Sequence, residues 1–140
     1  MLFRSLPVLP YAVVGLAGIY DVKLLVKDNE DPGYRQIVEN AFGKNEAVWG
    51  LASPADWAYG ALWPEGRVAV LMHSDGDELV NWSQTNAMAE LLEKEGTEKR
   101  RNVVLKGSGA HDDAWLDGGD LARAFLQALS MLQEVDAGKV

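Results

Sequence analysis

The chain has 140 residues, the length of one domain, and its 48% apolar and 24% charged composition excludes a disordered or low-complexity protein. Thirteen Lys and Arg against 21 Asp and Glu give a net charge of −8, so the basic footprint that nucleic acid or an anionic membrane requires is missing. Cysteine is absent, which removes disulfides, thiolate metal sites and a cysteine nucleophile, and fits a cytoplasmic protein.

The first feature in chain order is an uncharged run from Ser5 to Tyr20, preceded by Arg4, that imitates a secretory leader. Pro7 and Pro10 would break a helix there, and a buried strand over Ala12–Ala17 accounts for the same residues. A helix is predicted over Pro32–Phe42, stopped by Gly43. Trp49 to Gly66, with Pro54, Pro64, Gly50 and Gly60, reads mostly as irregular loop. Arg67–His73 and Asn102–Lys106 are two further short apolar runs. Their continuous rather than alternating apolarity marks strands covered on both faces, and hence a parallel sheet. Helical periodicity is predicted over Ser83–Lys94, through Ala87, Met88, Leu91 and Leu92. It returns over Asp120–Glu134, through Leu121, Phe125, Ala128, Leu129 and Leu132. The alternation gives an α/β fold of about three parallel strands with covering helices, and no linker divides the chain.

Ligands of such sheets sit beyond the carboxyl ends of the strands. Those ends are Gly18-Ile19-Tyr20-Asp21, His73-Ser74-Asp75-Gly76-Asp77-Glu78 and Gly107-Ser108-Gly109-Ala110-His111-Asp112. Asp77 precedes His111 by one helix and one strand, so both can emerge on one sheet edge. A carboxylate that fixes a histidine's tautomer is half of a hydrolytic triad. The plainer reading of Asp77 is an N-cap before a helix over Val80–Leu92, and that of Asp21 a cap on a short helix. His73 reads as a hydrogen-bonded core histidine. Asp75, Asp77, Glu78 and His73 do not follow a calcium-loop or zinc pattern, so no metal and no cofactor is implied. Tyr20, Trp82 and Trp115 adjoin the strand ends and are candidates for lining a substrate pocket, against packing as the simpler role. The charges of Glu90–Glu95 and Glu98–Arg101 read as a solvated face.

Taken in order, Gly18-Ile19-Tyr20-Asp21, His73-Ser74-Asp75-Gly76-Asp77-Glu78-Leu79-Val80 and Gly109-Ala110-His111-Asp112 resemble the fungal kynurenine formamidase (arylformamidase) branch of the α/β-hydrolase fold. Tyr34 to Gly43, Ser53-Pro54-Ala55 and Trp82-Ser83-Gln84-Thr85 are similar to that family's connecting segments. The resemblance runs from about Pro10 to Leu129. It implies that Asp77 is the acid and His111 the base of a serine hydrolase that opens the formamide of N-formyl-L-kynurenine, giving L-kynurenine and formate in tryptophan catabolism. The implied substrate is a small aryl formamide or ester.

The family's G-x-S-x-G nucleophile elbow and its oxyanion-hole segment have no counterpart here. The serines are Ser5, Ser53, Ser74, Ser83, Ser108 and Ser130, none of them in that motif. Ser108 is the nearest imitation, but it follows the same strand as His111, where an elbow serine must project from another. The expectation is therefore a C-terminal portion of the fold over residues 1–140, feeble or inactive alone. An exposed edge near Ala12–Ala17 would lead it to form a homodimer, to aggregate, or to need a complementing N-terminal half. Two other readings stand beside this one. The first is a non-catalytic binding or assembly module, and the second an enzyme using Asp77 and His111 for acid–base work without a covalent step.

Overall fold

The computed structural model describes residues 9–138. Three strands, β1 (Ala12–Leu16), β2 (Val68–Ser74) and β3 (Arg101–Gly107), form one parallel sheet in the order β1-β2-β3. Val14 lies beside Val70, and Val70 beside Val103. Between β1 and β2 run α1 (Val22–Asp28), α2 (Pro32–Phe42), α3 (Glu46–Ala52), a 3-10 turn at Pro54–Asp56 and the short α4 (Tyr59–Leu62). The other crossovers and the end of the chain are α5 (Trp82–Lys94), α6 (Asp113–Leu116) and α7 (Gly119–Asp136). The expected α/β architecture, its three strands and its three longer helices are all present. The uncharged run from Ser5 begins outside the described residues, and its described part contains β1. Among the described residues no helix is long and apolar enough to cross a membrane.

The central strand explains the continuous apolarity. Val68, Val70 and Met72 point to one face, where Ala124, Ala128 and Met131 of α7 pack on them with Leu16. Ala69 and Leu71 point to the other face, under Met88 and Leu92 of α5 and the rings of Tyr59 and Trp63. With successive side chains on opposite faces and both faces covered, no polar residue is tolerated before the strand's carboxyl end. A third apolar cluster, Val22, Leu25, Val38 and Trp49, ties α1, α2 and α3 together.

Two expectations change. Trp49–Gly66 is not mostly irregular: α3 ends within it, and the 3-10 turn and α4 occupy much of the rest. Its prolines and glycines punctuate short helices instead of abolishing them, and buried Trp49, Tyr59 and Trp63 anchor these by tertiary packing. Arg100 is not part of a solvated face but is 7% exposed. Its guanidinium donates to the carbonyls of Leu92 (3.2 Å) and Glu95 (2.6 Å), and it lies 5.4 Å from the ring centre of Trp63. A long side chain can bury its stem and set one nitrogen of its head on helix-end carbonyls, which charge patterning does not reveal.

β1 is an edge. The carbonyl of Tyr11 accepts from Val68, and the N–H of Ala17 donates to Met72, so the odd-numbered residues turn their main chain toward β2. Ala12, Val14 and Leu16 therefore turn theirs to the open side. Proline substitution of adjacent valines tests this parity. Val13→Pro removes a ladder bond, whereas Val14→Pro removes an outward N–H. In urea titrations Val13→Pro should be the less stable of the two by about 1–3 kcal/mol, the cost of an unmade buried hydrogen bond.

Candidate active site

The loops after β2 and β3 meet, and two small residues let them. A side chain at Gly76 would place Cβ 2.6 Å from the carbonyl oxygen of Gly109, and Gly109 has φ of 79 degrees. The Ser74 hydroxyl accepts from the N–H of Gly76 (3.0 Å) and donates to the carbonyl of Gly109 (2.6 Å). Glu78 adds a second clamp by accepting from the N–H of His111 at 3.0 Å.

Within this clamp Nδ1 of His111 lies 2.8 Å from Oδ2 of Asp77. A carboxylate only accepts, so Nδ1 carries a proton, and in the neutral ring Nε2 then has the lone pair. The Asp77 side chain is 1% exposed and that of His111 20%. Oδ1 of Asp77 accepts from the N–H groups of Leu79 (3.0 Å) and Val80 (2.8 Å). Burial alone would push the Asp77 carboxyl up. The amide of Val80, His111 and the amide of Leu79 outweigh it and hold the group below the usual carboxylate range. Both sequence readings of Asp77 thus meet in one side chain. It caps the turn that leads into α5, which begins at Trp82 and not Val80, and it also orients His111.

His111 and Asp77 line a small cavity with Leu16, Ala17, Ser74 and Asp120. Ala17 has φ of 46 degrees, a left-handed conformation that costs a side chain roughly 1–2 kcal/mol. It is held by the Ala17 N–H donating to Met72. The chain thus turns sharply at the end of β1, beside His111.

The aromatic candidates separate. The Trp82 ring lies 4.9 Å from that of His73, and its indole N–H donates to Oδ1 of Asp75 at 3.0 Å. Trp115, on α6 just after the histidine loop, is 50% exposed. Tyr20 does not join the lining of the His111 cavity. It lines an apolar cavity of about 200 Å3 with Val13, Gly15, Tyr59 and Trp63, where burial pushes its hydroxyl up to about 12.

Asp21 caps α1, accepting from Leu24 at 2.9 Å. Two of the serines are committed: Ser53 is buried between Trp49 and Val22, and Ser108 bonds Asp120. Asp75 is paired with Lys106 and Glu78 with the histidine loop, so the acids of the β2 end diverge. Among the described residues no group of three His, Asp or Glu could hold a metal.

Gln84 is a residue the sequence did not single out. Buried in α5, it accepts from the N–H groups of Tyr20 (2.9 Å) and Asp21 (2.8 Å) and donates to the carbonyl of Asp21. It thereby fixes the loop after β1 to the helix after the acid. Polarity at a position otherwise suited to a helix's core face was the available signal.

A kynurenine formamidase-like hydrolase of Fusarium equiseti is 37% identical over 93% of this chain and 44% of its own length. A kynurenine formamidase of Aspergillus versicolor is 33% identical over 78% of this chain and 45% of its own length. The chain is a homologue of fungal kynurenine formamidase-like hydrolases. It spans less than half the length of these curated relatives. No protein-family model and no solved structure matches it.

Two measurements follow from Asp77. Asp77→Asn keeps an acceptor for the amides but loses the charge that His111 bonds, and should cost about 1–3 kcal/mol near neutral pH. Because the folded carboxyl titrates below its unfolded value, its stabilisation is fully present above about pH 4 and disappears as pH falls through the lower folded value. The gap between wild type and Asp77→Asn in urea midpoint should therefore close in acid.

Proposed function

We propose that this chain carries the acid–base part of an arylformamidase-type serine hydrolase of the α/β-hydrolase fold, acting on N-formyl-L-kynurenine or a related aryl formamide. The observation that carries the reading is the 2.8 Å bond from His111 to a buried, charged Asp77, in a homologue of kynurenine formamidases.

In this reading Nε2 of His111 takes the proton of an attacking serine hydroxyl as its oxygen bonds to the formyl carbon. Asp77 supports the imidazolium that results. His111 returns the proton to the aryl amine nitrogen as the C–N bond breaks, and releases the amine. Water, deprotonated in turn by His111, then attacks the formyl ester, and formate leaves as the serine recovers its proton. The attacking oxygen and the oxyanion donors come from a portion that the relatives have and this chain does not match. Each missing oxyanion donor forfeits ~2.7–4 kcal/mol of transition-state stabilisation, so the chain by itself is feeble. Residues 1–140 then act as one partial domain. Trp82 and Trp115 adjoin the two loops on the substrate side, while Tyr20 faces a different cavity and is not assigned to the substrate.

A second reading, an assembly module without catalysis, is favoured by one observation, the open edge of β1 with the outward main chain of Ala12, Val14 and Leu16. Such an edge adds strands from a second copy or from a complementing half. Sedimentation across a concentration series should show association that Val14→Pro suppresses.

The catalytic reading is tested by N-formylkynurenine turnover beside fluorophosphonate labelling. The chain alone should neither turn over substrate appreciably nor take the label. Combined with the unmatched portion of the Fusarium relative, it should gain turnover that His111→Ala abolishes. Labelling of a serine in the isolated chain, or turnover indifferent to His111→Ala, would overturn the reading.

A further inference from the structure

A second histidine lies against the same carboxylate. His73 closes the buried run of β2, and its side chain is fully buried. Nδ1 is 2.8 Å from the hydroxyl of Thr85, itself fully buried on α5, and Nε2 is 2.8 Å from the carbonyl oxygen of Val80. A carbonyl can only accept, so Nε2 carries the proton. In the neutral ring Nδ1 is then the acceptor and the Thr85 hydroxyl the donor. Thr85 and Val80 together leave His73 one tautomer and one orientation, under the indole of Trp82.

The consequence is at Asp77. Both main-chain groups of Val80 are held, its N–H donating to Oδ1 of Asp77 and its carbonyl accepting from Nε2 of His73. The same Nε2 lies 3.5 Å from Oδ2 of Asp77, the oxygen that receives the Nδ1–H of His111. One carboxylate oxygen is thus fixed by two amides, and the other lies between two imidazoles. We propose that His73, set by Thr85, is a positioning residue for the Asp77–His111 pair: it fixes the acid so that His111 is held with its proton on Nδ1 and its lone pair on Nε2. The role rests on reading that pair as the acid and base, but it is measurable without turnover.

A histidine that merely filled the core would be replaceable by an apolar side chain with a loss of stability and nothing more. The positioning role predicts a change in another ring. In 15N spectra of the full chain His111 should be nearly all in the Nδ1–H form, with a slowly exchanging Nδ1 proton. In His73→Leu the ratio of the Nδ1–H to the Nε2–H form of His111 should fall roughly tenfold, the scale of one lost hydrogen bond. His73→Gln, whose amide can still donate toward Val80 and accept from Thr85, should recover most of it.

Should His73→Leu fail to fold, Thr85→Val and Thr85→Ser make the same comparison one bond further out. The valine should broaden or lose the His111 Nδ1 proton and the serine should keep it. A wild-type His111 tautomer ratio in folded His73→Leu, or in both Thr85 variants, would overturn the proposal. Because the reading uses the His111 ring alone, a failure of the hydrolase assignment would appear in the turnover assay and leave this result standing.

Discussion

The chain is organised around a strand that water does not reach. β2 is covered by α7 on one face and by α5 with Trp63 and Tyr59 on the other, and it is hydrogen-bonded along both edges. A strand enclosed in this way has no place for a charge until it ends. Where it ends, His73, Asp75 and Asp77 follow within five residues, and the chain's polar chemistry gathers there. The position of the candidate site is thus set by the limit of the core.

The site also shows how a buried charge is made tolerable. Asp77 is withdrawn from water, which by itself would favour its neutral form. Three N–H groups at 2.8–3.0 Å replace the lost solvent, two from its own turn and one from His111. The group that would act on a substrate is therefore also one of the groups that keeps the acid ionised. Removing either partner leaves the other in a worse place, which is why such pairs resist piecemeal exchange.

Much of this was legible in the sequence because period and punctuation are local. The valines of β1, β2 and β3 run without alternation, and Pro32 and Gly43 bracket α2. The pairing of Asp77 with His111 followed from one helix and one strand between them. What was not legible depends on contacts between segments far apart. Trp49 and Trp63 convert a proline-rich stretch into short helices only by packing on other elements, and Arg100 is buried only because Trp63 and two helix-end carbonyls await it. Tyr20 adjoins the site in sequence position, yet the sheet turns it to a different cavity. Gln84 and Thr85 looked like unremarkable helix residues because their partners, the amides after β1 and the ring of His73, lie elsewhere in the chain.

The pairing of β1 with β2 has a consequence in time as well as in space. Leu16 and Val68 are separated by residues 17–67, and β1 has no other strand beside it among the described residues. During synthesis from the amino end, β1 must wait for that whole interval before β2 leaves the ribosome. Closing a long loop costs entropy that only non-local contacts return, so the sheet forms late and all at once. For that interval the segment around Ala12–Leu16 carries no charge of its own to oppose self-association.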